Sequence, residues 1–195
     1  MAAIDNRKDF LLLLLYSPGP TSSVNEPVVG RTRLVKMLYL FKKEALKEFN
    51  YGTAINEDNF YQFYPWDFGP FSAQVYDDLA FFILRGFVQS SISEDVSLPE
   101  SAAEWEKWLD QSGADDAEEI EEYQEEEFTL TDKGVRFTTP LYKSLSPNQR
   151  IHLREFKKRT GAVPLRALLR YVYSKYPEDT SQSKIKDKLL GSSNF

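Results

Sequence analysis

Apolar residues fall in helical register over most of this chain and alternate in strand register only briefly. Leu34, Met37, Leu38, Phe41, Ala45, Leu46 and Phe49 recur at i, i+3, i+4 and i+7, which predicts a helix over residues 32–49. A first helix is predicted over residues 5–16. Its apolar run, Phe10 to Tyr16, is far too short to span a bilayer and reads as a buried face. Val75, Leu79, Phe82 and Ile83 predict a third helix over residues 71–84, with Pro70 suited to its first position and Gly86 to its end. Residues 87–92 read as a strand whose natural partner is the alternating stretch 127–131. Thr131 or Asp132 caps the next helix, and Pro147 opens another that runs through Arg159. A last pair covers residues 164–176 and 183–190, the first with Leu165, Leu168, Leu169, Val172 and Tyr173 inward. Residues 17–29 carry turn signals throughout, and residues 60–64 are a short strand or an extended approach to an aromatic turn at residues 64–72.

The order is therefore helix, helix, short strand, helix, strand, strand, helix and a helical tail. It predicts a mostly α (α+β) fold: a winged helix-turn-helix-like core with a two-stranded wing and a C-terminal helical extension, in one domain over residues 1–195. Charge changes this picture at one place. Residues 94–127 hold fifteen acids and one base, a net −14, so the rest of this −6 chain is +8. The chain reads as a basic body with an acidic insertion inside the wing hairpin. The whole-chain pI of 5.0 hides that body. The chain has no cysteine, which removes disulfides, thiol nucleophiles and thiolate metal sites and fits a reducing, cytoplasmic setting.

Residues 64–72, Tyr-Pro-Trp-Asp-Phe-Gly-Pro-Phe-Ser, are the most distinctive local feature. Two prolines and a glycine fix the backbone while aromatic side chains crowd around it. Such a turn either closes a core or presents anchors to a partner, because Trp and Tyr dominate interface hot spots. Trp66, Phe68, Phe71 and Tyr76 are the candidates here. Trp105 and Trp108, within a helix predicted over residues 100–109 of the acidic insertion, are aromatic anchors amid acids.

Several segments carry a resemblance. Residues 30–40, Gly-Arg-Thr-Arg-Leu-Val-Lys-Met-Leu-Tyr-Leu, resemble the second helix of YwgA-like proteins and of the Panacea domain of SocA-type antitoxins. Residues 64–72 resemble the aromatic-x-x-Gly-Pro-aromatic-Ser turn of that family, continued by Val75 to Leu79. Residues 128–134 resemble the strand-to-helix junction of many winged-helix proteins, and residues 168–177 resemble the YwgA-type C-terminal end. The acidic insertion departs from the pattern. The resemblance implies a mostly helical, winged-helix-like module that binds a partner protein as an antitoxin or adaptor, restraining a toxin or defence effector.

Candidate chemistry is sparse. His152 is the only histidine and no ordered carboxylate pair stands out, so neither a metal nor a cofactor is expected. Phosphate-binding glycine loops and nucleophile elbows are missing from the sequence as well, so no enzyme and no small-molecule substrate are expected. Arg31, Arg33 and Lys36, with Arg154, Lys157 and Lys158, are candidate contacts to nucleic acid or another anion, or simply the wet faces of their helices. The acidic insertion is a candidate cover for that basic face. A protein partner is the first expectation, and a winged-helix DNA-binding regulator the alternative. Against the alternative, residues 71–84 contain no Arg or Lys, and only Gln74 has ready base-reading chemistry.

Overall fold

The computed structural model describes residue 4 and residues 6–49, 55–91 and 126–190. Helix α1 (Arg7–Tyr16) is capped by Asn6, whose side chain accepts from the Lys8 and Asp9 amides. Phe10 and the five leucines after it are all fully buried, so from Phe10 to Leu15 this helix is apolar on every side and lies inside the molecule. The two-residue strand β1 (Val28–Val29) comes next, then α2 (Arg31–Leu40). A π-helical turn over Phe41–Ala45 carries α2 into α3 (Leu46–Phe49), which makes one continuous rod of the predicted second helix.

Strands β2 (Tyr64–Trp66) and β3 (Gly69–Phe71) form an antiparallel hairpin. Helix α4 (Ala73–Leu84) starts only after β3, with Ser72 at its N-cap. Pro70 therefore lies in a strand and not at the first helical position, a correction to the sequence expectation. Its carbonyl accepts a hydrogen bond from the buried Lys36. Gly86, at φ +68°, closes α4 as expected. Strands β4 (Val88–Ser91) and β5 (Glu127–Leu130) pair as predicted; they run antiparallel, with Val88 opposite Leu130 and Ser91 opposite Glu127.

The loop before α2 also supplies a strand that turn signals concealed: β1 pairs with β5, so the sheet order is β1-β5-β4. Helices α5 (Asp132–Ser144), α6 (Pro147–Ala162), α7 (Leu165–Lys175) and α8 (Lys186–Leu190) complete the chain. Thr131 caps α5, and Ser146 with Gln149 forms a capping box at α6. The molecule is thus mostly helical with a small antiparallel sheet. No helix among the described residues is long and apolar enough to cross a membrane.

Among the helices lies an aromatic core. Phe10, Phe41, Phe49 and Phe60 meet at centroid distances of 4.2 to 6.2 Å, and Phe156 of α6 joins at 5.1 Å from Phe41. Contact between α5 and the start of β4 is closest at Gly134, where a Cβ would sit 2.0 Å from the Phe87 carbonyl oxygen. Only glycine fits there. Of the acidic insertion, Glu126 and Glu127 are described; Trp105, Trp108 and the helix expected around them lie outside the described residues.

Candidate interaction site

The geometry of the β2–β3 hairpin comes from its residue types. Pro65 and Pro70 face each other across the ladder, and Tyr64 pairs with Phe71. Strand alternation sends Tyr64 and Trp66 to one face, where they are 42% and 50% exposed. Phe71, also on this face, lies 5.7 Å from Tyr64 and 6.3 Å from Trp66; Tyr76 of α4 stands 5.2 Å from Phe71. Tyr64 meets Trp66 edge-on at 5.9 Å. Together the four rings form a partly exposed ridge in edge and tilted contacts, the arrangement aromatic quadrupoles favour.

The ridge is held from beneath. Lys36 of α2 is buried, and its ammonium donates to the Phe68 and Pro70 carbonyls at 2.8 Å each. Burial pushes this ammonium down to about 7. The Asp67 carbonyl accepts from the Lys184 amide at 2.8 Å and the Ser183 hydroxyl at 3.2 Å, while the Asp67 carboxylate takes the Lys184 ammonium. Gly69, at φ +83°, lies against the Tyr173 ring of α7, where a Cβ would come within 2.9 Å. Three separate parts of the fold therefore fix the hairpin and its loop. A hairpin held in this way is pre-ordered, which lowers the cost of any association made through the rings above it.

The expected candidates divide. Trp66, Phe71 and Tyr76 come together in the ridge. Phe68 packs partly buried against the core. Tyr64 is a member that sequence reasoning missed, although its i, i+2 spacing from Trp66 was the signal for it.

The expected basic footprint is largely corrected. Lys36 is occupied beneath the ridge. Lys157 is buried, and its three donors reach the carbonyls of Leu15, Ser17 and Glu26 at 2.7, 2.8 and 2.9 Å. Neither ammonium can reach a phosphate. Desolvation also pushes Lys157 down to about 7, against the opposing pull of the Glu26 charge. Arg33 donates to the Thr160 and Val163 carbonyls at the end of α6, a cationic C-cap supplied from another helix. Arg31 forms a bidentate pair with Glu126 at 2.5 and 2.9 Å, between the Tyr76 and Phe128 rings. Hydrogen bonding to Glu126 outweighs burial and raises the Arg31 guanidinium further. Arg154, paired with Glu155 at 3.2 Å, and Lys158 stay exposed. With Arg150 they form an i, i+4, i+8 stripe on α6.

Gln74, the candidate base reader, accepts from the Gln62 backbone amide at 3.0 Å. Among the described residues no group of three or more His, Asp or Glu side chains converges as a metal site would. Comparison with protein-family models, with curated proteins and with solved structures finds no match to this chain.

Proposed function

We propose that this chain is a non-enzymatic protein-binding module that restrains a partner protein, in the manner of an antitoxin or adaptor. The observation that carries the proposal is the half-exposed Trp66 on a hairpin clamped by a buried lysine, a glycine–tyrosine contact and a lysine–aspartate pair. A rigid cluster of Trp and Tyr at the surface has the composition of an interface hot spot. The sequence of α1, β1, α2, α4, β4 and β5, with sheet order β1-β5-β4, supports a winged-helix-like core beneath it. The β2–β3 hairpin is then an addition between the second and third helices of such a core.

The DNA-binding alternative has less support. Helix α4 offers no cation, Gln74 is engaged, and four of the six candidate basic residues are committed to internal acceptors. The acidic insertion adds long-range steering toward a basic partner, which salt weakens.

The test is a tagged pull-down from the native host at low salt, with and without nuclease. One stoichiometric protein that survives nuclease and is lost with Trp66→Ala supports the proposal. Recovery of nucleic acid, with proteins lost after nuclease, overturns it.

A further inference from the structure

A second apolar surface lies toward the other end of α4. Leu84, the last residue of that helix, is 85% exposed, with Phe81 at 39% and Phe137 of α5 at 47%. Two less exposed rings join them: Phe81 lies 5.5 Å from Phe82, Phe82 lies 5.9 Å from Phe87, and Phe87 lies 5.3 Å from Phe137. An apolar surface that continues across two helices differs from the single exposed side chains that any fold tolerates.

Cations rim this patch. The Lys8 ammonium stands 4.3 Å from the Phe81 ring, the Lys133 ammonium 4.2 Å from Phe87, and the Arg85 guanidinium 5.6 Å from Phe81. Arg136 is exposed one residue before Phe137. Among the acids nearby, Asp78 is buried and pairs with Arg7 and Lys8 at 2.9 and 3.6 Å. With Arg7, the cations outnumber the acids even when Asp9, Asp77, Asp78 and Asp132 are all counted. The basic surface expected on α2 and α6 is thus found between α4 and α5, where it frames aromatic side chains.

The complement of such a surface is a segment that carries apolar rings and acids together. This chain contains one. Trp105, Trp108 and Leu109 stand at i, i+3 and i+4, among Glu100, Glu104, Glu106 and Asp110, with Lys107 as the one base. Trp105 follows the end of β4 at Ser91 by fourteen residues. That length of chain reaches up to about 46 Å, and the run back along β4 from Ser91 to Phe87 is about 13 Å. A tethered segment also has an effective concentration that a separate acidic partner does not. An anionic bilayer would have to overcome the repulsion of the same acids.

We infer that residues 100–110 of the acidic insertion dock on the patch of Phe81, Leu84 and Phe137. Trp105, Trp108 and Leu109 meet the apolar surface, and the acids meet Lys8, Arg85, Lys133 and Arg136. The inference is independent of the protein-binding function proposed above. The ridge stands at the start of α4, a helix about 18 Å long, so the docked segment leaves it open.

The experiment is acrylamide quenching of tryptophan fluorescence on the full chain carrying Trp66→Phe, which leaves Trp105 and Trp108 as its tryptophans. Their emission should be shielded and unchanged on dilution. Leu84→Glu with Arg136→Glu should raise the quenching constant severalfold and move the emission to longer wavelength. Glu104→Lys with Glu106→Lys, which leaves the patch itself untouched, should do the same. An unchanged circular dichroism spectrum excludes misfolding of the variants. Equal quenching in parent and variants overturns the inference. Shielding that is lost on dilution assigns the patch to a second copy of the chain and overturns it too. So does Leu84-dependent sedimentation with phosphatidylserine vesicles, which assigns the patch to a lipid surface. Recovery of the partner through Trp66 is unaffected by any of these outcomes.

Discussion

Trp66 is half exposed, and its substitution should separate binding from folding. Exposed positions without special backbone geometry usually change stability by no more than about 0.5 kcal/mol. Loss of a central interface anchor costs about 2 kcal/mol or more in affinity. Trp66→Ala should therefore leave the denaturation midpoint nearly unmoved and abolish partner recovery in the pull-down. Lys36 is the opposite case, unseen by any partner but essential beneath the ridge. Lys36→Met removes the ammonium that donates to the Phe68 and Pro70 carbonyls and should destabilise by about 1–3 kcal/mol, read by urea unfolding. Its pH signature has a definite sign. The unfolded ammonium titrates near about 10.4, the folded one at about 7. Below about pH 7 both states are protonated and the cost of burying charge is fully present. Between those values the unfolded state binds more protons, so stability rises with pH. Unfolding free energy should climb from about pH 7 to about pH 9, and the climb should shrink in Lys36→Met. Lys157, which desolvation likewise pushes down to about 7, adds to the climb over the same window, so Lys36→Met should reduce it without abolishing it.

At the scale of elements, two contacts leave no room for a side chain. At the N-terminus of α5, Gly134→Ala would push a methyl into the Phe87 carbonyl and should cost about 1–3 kcal/mol or more in thermal or urea unfolding, as overpacking does. Gly69→Ala adds left-handed backbone strain to the Tyr173 clash and should weaken partner binding together with stability. The π-turn draws Glu44 into a second set of contacts that ties the α2–α3 rod to α7. Its carboxylate accepts from the Tyr171 and Tyr176 hydroxyls and from Lys175 at 2.8, 3.0 and 2.9 Å. Burial alone would push this carboxyl up, but those donors outweigh it and hold it below the usual range. Helices with a one-sided apolar stripe, such as residues 165–175, were legible within a residue or two, because the 3.6-residue period survives any tertiary arrangement. The β1 strand and the β2–β3 hairpin were not. Two or three residues carry no period, and the partner of β1 lies far away in sequence, as Val28 opposite Phe128 shows.

Across the whole molecule, charge is distributed differently from its appearance in the sequence. The acidic segment reaches the body at Glu126, which takes Arg31 and the Ser90 hydroxyl, so at least one residue of the insertion is part of the fold. Partner association should slow as salt rises from about 50 to 300 mM, because the screening length falls below about 10 Å in that range. Stopped-flow association rates on the chain with and without residues 94–125 would read this directly, with the salt slope flattening in the deletion. By itself the sequence determined most helical spans, the strand character of β4 and β5, a cap at Thr131 or Asp132, the helix start at Pro147 and the concentration of aromatics at residues 64–71. All of these are set by local periodicity or local hydrogen bonding. Only the tertiary structure decided which charges face water. An amphipathic pattern marks a polar face without saying whether that face meets solvent or a neighbour's carbonyls. Lys36 and Lys157 turned inward because three-dimensional packing brought clusters of backbone carbonyls to them. The same packing left Trp66 outside, on a hairpin whose own carbonyls Lys36 holds in place.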